Sequence, residues 1–208
     1  EPTWLANSPS MRAEMLRRCP GVALPKPGEK VAPVEQLSGD SLYDPNLLYA
    51  ILKKNAEVRP VYWGAAPVFA NLRPKGLVYE FTANQTALLN EQTMEFNREF
   101  WADIEEEFLK NPSLLRDRVA SILYPETLRH QGIFYDKIGR NRLAQWAFEQ
   151  AIWLNPFYGR VWLDLGEHHL RMNRPQEALQ CFEQAGNLDY RLRTRAHFRK
   201  GIILFNMA

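Results

Sequence analysis

Two stretches, GIFYDKIGRNRLAQWAFEQAIWLNP (Gly132–Pro156) and GEHHLRMNRPQEALQCFEQAGNLDY (Gly166–Tyr190), lie 34 residues apart and align without a gap. Gly132 falls on Gly166, Tyr135 on His169, Ala144 on Ala178, Phe148 on Phe182, Ala151 on Ala185 and Pro156 on Tyr190. A fixed period of this length marks a stacked helix–turn–helix array, in which one unit cannot bury its own apolar face and neighbours must cover it. Small residues at Gly166 and Ala178 let the two helices of a unit approach closely. Phe182 and Ala185 are placed to meet the first helix of the next unit.

The spacing resembles the tetratricopeptide repeat, a helix–turn–helix unit of about 34 residues. The second unit carries that family's positions as Trp162, Leu165, Gly166, Ala178, Phe182 and Ala185, and departs at His169 and Tyr190. The first unit has Leu128 in place of the Trp but keeps Tyr135 and Pro156. A partial third unit begins near Thr194, with Gly201 one residue out of step. Units are therefore expected near 125–158, 159–193 and 194–208. Helices over Glu91–Lys110 and Ser113–Leu123 are expected to link to the array and cap it, occupying 91–124.

In the repeat family the first helix of each unit lines a groove. The resemblance thus implies partner-binding candidates Arg129, Ile133, Asp136 and Lys137 in the first unit, and Arg160, Leu163, Asp164, Glu167 and Arg171 in the second. Arg195, Phe198 and Ile202 follow in the third. Arginines beside apolar side chains suit a peptide carboxylate. The competing reading is a solvated face that binds nothing.

The front of the chain reads differently. Ser8 and Pro9 open a short helix closed by Arg17, Arg18 and Pro20-Gly21. A Pro- and Gly-rich loop follows. Asp44 and Pro45 open a second helix with Leu47, Leu48, Ile51 and Leu52 on one face. VRPVYWGA (Val58–Ala65) and LVYEF (Leu77–Phe81) read as two strands, apolar enough on both faces to predict burial. The expected fold class is α+β: a small α/β layer over 1–90, then an all-α array.

Composition narrows the functions. With 46% hydrophobic and 24% charged residues the chain is ordinary globular protein. A formal net charge of +2 is too small to call for nucleic acid or an anionic surface. Cys19 and Cys181 form no CxxC or zinc spacing and read as small buried residues. No apolar run reaches the roughly 18–20 residues that span a bilayer. No GxSxG, P-loop or GxGxxG occurs. His168 and His169 are neighbours about 100° apart on a helix, a poor chelating pair, and His169 occupies a packing position of the repeat. DIEEEF (Asp103–Phe108) reads as a solvated face, and the NQT at Asn84 as carrying no function. No enzyme activity, cofactor or metal is expected of this chain.

The two-part motif Arg59-Pro60-Val61-Tyr62, then Gly76-Leu77-Val78-Tyr79, resembles the C-terminal soluble region of bacterial multi-span membrane proteins. These are similar to protein O-mannosyltransferases and other lipid-sugar-dependent glycosyltransferases, some of which carry tetratricopeptide units after that region. The resemblance covers roughly 1–123 and implies a domain on the periplasmic face of the inner membrane, held there by transmembrane segments outside this chain. The parent's catalytic acids would lie in membrane loops, none of them here. The opening EPTWLANSP (Glu1–Pro9) likewise reads as a piece of a longer protein. By itself the motif reads as scaffold: Arg59 pairs an acid or caps a helix end, and Tyr62 and Trp63 pack, with a sugar contact through them as the minor alternative. The expected function is a non-catalytic extracytoplasmic domain that recruits a protein or peptide, with oligomers possible. The alternatives are an independent cytoplasmic tetratricopeptide adaptor and, more weakly, a soluble enzyme with a site in the front half.

Overall fold

A computed structural model describes residues 9–26, 29, 45–64, 72–82, 91–117 and 120–207. The expected caps Ser8 and Asp44, the side chain of Leu47, and Asn84 lie outside the described residues. The chain divides into two compact units, 1–102 and 103–208. The described residues are mostly helical, with one small antiparallel sheet.

In the first unit, helix α1 is Pro9–Arg18 and α2 is Pro45–Ala56. Three strands follow, β1 Tyr62–Trp63, β2 Leu72–Lys75 and β3 Val78–Phe81, in the order β1-β3-β2. β1 pairs antiparallel with β3, Tyr62 opposite Glu80, so the two expected strands do meet, although β1 is only two residues long. Strand β2 is absent from the sequence reading, because Pro74 demotes the run LRPK. It sits at an edge, where a residue without an N–H costs no ladder bond. Gly76-Leu77 closes the β2–β3 hairpin, and Gly76 has φ +62, the left-handed conformation that such a two-residue turn asks of its first position.

The expectation of a sheet buried on both faces is overturned. Leu72, Tyr79 and Phe81 form a core with Leu52 of α2, joined by Leu48, Tyr49, Val61 and Trp63. The alternate residues Arg73, Lys75 and Glu80 are only partly buried and Tyr62 is 50% exposed. The sheet therefore follows the period-2 alternation of a one-sided antiparallel sheet.

Two buried asparagines hold this unit together. Asn55 of α2 accepts the Ala23 N–H and donates to the Ala23 carbonyl, both at 2.9 Å, fastening the loop after α1. Arg59 adds a bond to the Gly21 carbonyl, so it caps backbone, and it pairs with no acid among the described residues. Asn97 of α3 (Glu91–Lys110) accepts the Gly76 N–H and donates to the Pro74 carbonyl, both at 2.8 Å, clamping the hairpin turn.

The second unit consists of the end of α3, a 3₁₀ turn at Pro112–Arg116, and helices α4 Ala120–Lys137, α5 Asn141–Leu154, α6 Gly159–Arg171, α7 Pro175–Leu188 and α8 Arg193–Met207. The expected helix Ser113–Leu123 does not form: its start is the 3₁₀ turn and its end belongs to α4. Pro125 explains the misreading, since a proline inside a helix usually marks a boundary. Here the helix runs through it. Proline leaves the Ser121 carbonyl without its usual N–H donor, and the Asn155 side-chain amide donates to that carbonyl at 2.8 Å.

α4–α5 and α6–α7 are packed helical hairpins, and α8 packs on α7. A methyl placed on Gly132 would lie 2.6 Å from the Phe148 ring, and one on Gly166 would lie 2.8 Å from the Phe182 ring. Each glycine thus admits the ring of its own hairpin. Gly139 and Asn173, 34 apart, take the left-handed conformation after α4 and α6. Arg140 N–H then bonds the Tyr135 carbonyl, and Arg174 N–H bonds the His169 carbonyl. Asn155 and Asp189 accept from the N–H two residues on, at 3.0 and 2.9 Å. A methyl on Gly201 of α8 would meet nothing within 4 Å among the described residues. Both cysteines are free, and Cys19 is exposed, contrary to the expectation of two buried ones; burial pushes the Cys181 thiol up to about 11.

Candidate functional site

The first helices of the hairpins are joined by charge. Arg129 of α4 donates to its own-helix Glu126 at 2.7 and 3.0 Å, the i,i+3 spacing that puts both on one side. It also donates to Asp164 of α6. The Tyr158 hydroxyl donates to Glu126 as well. Burial would raise the Glu126 carboxyl, but the Arg129 guanidinium and the Tyr158 hydroxyl outweigh it and hold the group at about 2. Tyr158 is pushed up to about 12 by burial and by that carboxylate. Burial, then the Arg129 charge, lowers His130 to about 4. A neutral His130 lies 2.8 Å from an Arg129 nitrogen, so its Nε2 accepts.

The next two joints repeat the chemistry. Asp136 of α4 pairs with His168 Nδ1 at 2.8 Å and with Arg171 of α6. Glu167 of α6 pairs with Arg199 at 2.7 Å and Arg195 at 3.6 Å, both from α8. Arg129, Asp136, Asp164, Glu167, Arg171 and Arg195, all expected to meet a partner, are therefore brought together by binding one another. A guanidinium held between two carboxylates is not waiting for a third, and Arg129 is the clearest case.

The remaining candidates divide three ways. Leu163 is 3% exposed and packs with Ala178 and Phe182, so it is core and not groove. Ile133 is partly buried. Lys137, Arg160, Phe198 and Ile202 are exposed. Phe198 and Ile202, four apart, share one side of α8. With eight cations (Arg129, Lys137, Arg160, Arg171, Arg193, Arg195, Arg199, Lys200) and four carboxylates (Glu126, Asp136, Asp164, Glu167), the joined helices carry a net positive charge.

Glu126, His130, Tyr158, His168 and Arg199 belong to these joints and are missing from the expected set. A signal was present: the partners Arg129–Asp164 and Asp136–Arg171 are 35 apart, and Glu126–Tyr158, Asp136–His168 and Glu167–Arg199 are 32 apart. Opposite charges one period apart, give or take a residue or two, link equivalent helices of successive units. His169 is buried as a packing residue should be; its Nδ1 finds no hydrogen bond among the described residues, and burial lowers its pKa.

In the first unit the polar face of the sheet borders a recess of about 230 Å³ lined by Arg73, Lys75, Glu80, Gln92, Thr93 and Phe96. Glu80 accepts from Arg73 at 2.8 Å and from Lys75 at 3.4 Å, and Lys75 stands 5.3 Å over the Tyr62 ring. Tyr62 is thus a partner of Lys75, while Trp63 belongs to the hydrophobic core. In comparisons with known proteins, no family model matches this chain and no curated protein is significantly similar to it.

Proposed function

We propose that the chain is a non-catalytic protein-interaction module. Its helical half acts as a tetratricopeptide array that takes an acidic peptide segment across α4, α6 and α8. Its first unit is the periplasm-facing outer end of a membrane glycosyltransferase-like protein. The observation that carries the first part is the equivalence of two hairpins at a spacing of 34, contact by contact: Gly132 on Phe148 and Gly166 on Phe182. The turns after α4 and α6 agree in conformation as well. The motif Arg59–Tyr62 and Gly76–Tyr79 supports the second part by resemblance, and it forms the β1–β3 pair and the hairpin turn.

The peptide preference follows from what the ion pairs leave over. Lys137 and Arg160 remain exposed cations, and Phe198 and Ile202 remain exposed apolar side chains. No described helix is long and apolar enough to cross a membrane. Membrane attachment on this reading comes from segments outside the chain.

Selection of a random peptide library on the purified chain, followed by fluorescence anisotropy of the selected peptides, tests the module. Carboxylate-bearing peptides should emerge, and Lys137→Glu and Phe198→Ser should each weaken them by about tenfold, the loss of one ionic or apolar anchor. Selection of nothing, or affinities indifferent to both substitutions, ends the groove reading. A coding sequence that is hydrophilic for several hundred residues before Glu1 would end the membrane reading and leave the adaptor.

A further inference from the structure

We infer that the outer side of α8 is the contact through which two copies of this chain pair, helix against helix, about a two-fold axis. At a shift of 35 residues α8 repeats α6: Ala196 falls on Val161, Gly201 on Gly166, Ile203 on His168 and Leu204 on His169. Ala196 and Ile203 are buried, as Val161 and His168 are, and join Leu163, Phe182 and Ala185 in one core. The other side of α8 differs from its equivalents. In α4 and α6 that side has Gly132 or Gly166 at its centre and Tyr135 or His169 three residues on, all buried. A ring from the hairpin's second helix lies on each glycine. In α8 Gly201 is exposed, Leu204 is 55% exposed, and no described atom comes near enough to touch a methyl on Gly201.

Glycine inside a helix is unfavourable, and close approach of another group is what repays it. Gly132 and Gly166 each admit a phenylalanine ring, whereas Gly201 keeps the opening with no described ring in it. A ring to fill it stands on α8 itself. Phe205 is four residues on from Gly201, hence on the same side of the helix, and is 83% exposed. One face therefore carries both the opening and the ring. Two such faces, antiparallel and crossed between residues 201 and 205, set each Phe205 on the other copy's Gly201, with Leu204 beside it. A surface that complements itself in this way closes as an isologous dimer.

Charge selects a second copy over a different protein. Helix α8 holds no carboxylate, and its Arg195, Arg199 and Lys200 are drawn back to Glu167 and Glu183 of their own chain. From Gly201 to Met207 the helix carries no charge. An acidic helix finds no cation in this stretch and a basic one no carboxylate, while a like uncharged face approaches without repulsion. In the antiparallel arrangement the cationic first half of each α8 lies beyond the crossing, clear of the other's. One helix pair buries an area at the low end for specific complexes, so the dimer is a weak one. Phe198 and Ile202 lie toward Arg195 and Arg199, on the side held to α6, so the dimer does not rest on the peptide reading.

Sedimentation velocity of the purified chain from about 1 µM to about 1 mM tests it, and should show monomer passing to dimer across that range. Gly201→Leu, which closes the opening, and Phe205→Ser, which removes the ring, should each raise the dissociation constant about tenfold. An equal mixture of the two variants should recover part of the association, since one copy keeps the ring and the other the opening. Phe157→Ser, an equally exposed ring in the α5–α6 turn, should dimerise as the parent chain does. Thermal melts at the lowest concentration show that the variants are folded, and Gly201→Leu should melt no lower than the parent. A monomer at every concentration, a dimer indifferent to Gly201→Leu, a mixture that recovers nothing, or an equal loss in Phe157→Ser overturns the inference. Phe205→Ser should leave the affinity for selected acidic peptides unchanged, so failure of the peptide reading and failure of the dimer are told apart.

Discussion

Gly132 and Gly166 invert an ordinary rule. In a helix interior, glycine is less favourable than alanine by about 0.5–1 kcal/mol, because the backbone gives up more freedom. Here a methyl would meet the Phe148 or Phe182 ring at 2.6 or 2.8 Å, closer than carbon atoms sit without displacement. Overpacking of this kind costs about 1–3 kcal/mol and outweighs the propensity gain. Gly166→Ala should therefore destabilise the chain, with a lowered urea midpoint. The smaller ring site in Gly166→Ala/Phe182→Leu should recover part of the loss relative to the sum of the single changes. A stabilised Gly166→Ala variant would mean the hairpin is not packed through this contact. These glycines were legible from the sequence because a spacing of 34 paired them. Leu163 was misassigned because the same spacing says which helix a residue is on, but not which side of that helix faces the core.

At the scale of elements, α4 depends on a side chain from another helix end. Pro125 removes the donor for the Ser121 carbonyl, and Asn155 supplies one across the stack. Asn155→Ala should cost about 1–2 kcal/mol, the lost bond to the carbonyl that Pro125 cannot serve plus the turn bond to Phe157 N–H. In a Pro125→Ala background residue 125 regains its N–H, so the same Asn155→Ala change should cost measurably less. A double-mutant cycle from urea melts reads this coupling, and strict additivity would show that Asn155 acts only in its own turn. In the sequence alone Pro125 marks a helix boundary, because the compensating donor lies 30 residues on. Strand β2 was missed for a related reason: Pro74 is tolerated only because tertiary pairing leaves that strand at the edge.

At the scale of the whole molecule, the joined first helices make stability depend on acid. His130 has its pKa lowered from 6.5 to about 4 by burial and Arg129. Between those values the unfolded chain binds a proton that the folded chain does not, so stability falls as pH drops through the window. His169 is lowered too, and adds in the same direction. Glu126, lowered from 4.5 to about 2, contributes stability present above 4.5 and lost as pH falls toward 2. Urea midpoints from pH 7 to pH 4 should therefore decline, and His130→Gln should flatten that decline while leaving the further loss below pH 4. An undiminished slope in His130→Gln would place the acid sensitivity elsewhere.

The residues alone determined the helical hairpins, their period and their close-packed glycines. These follow from local spacing: apolar and small side chains recurring at the pitch of a helix and at the length of a unit admit few other structures. The α2 face against a sheet was legible in the same way, through Leu48 and Leu52. Tertiary structure decided the rest. It made the sheet one-sided, set β2 at an edge, carried α4 through its proline, and turned groove arginines into joints between helices. Each of those outcomes depends on a partner that folding brings alongside: Glu80 on the paired strand for Arg73, and Asn155 and Asp164, 34 and 35 residues on, for Ser121 and Arg129. A charge or a carbonyl can be read from one position, but whether it is free or satisfied depends on what folding brings beside it.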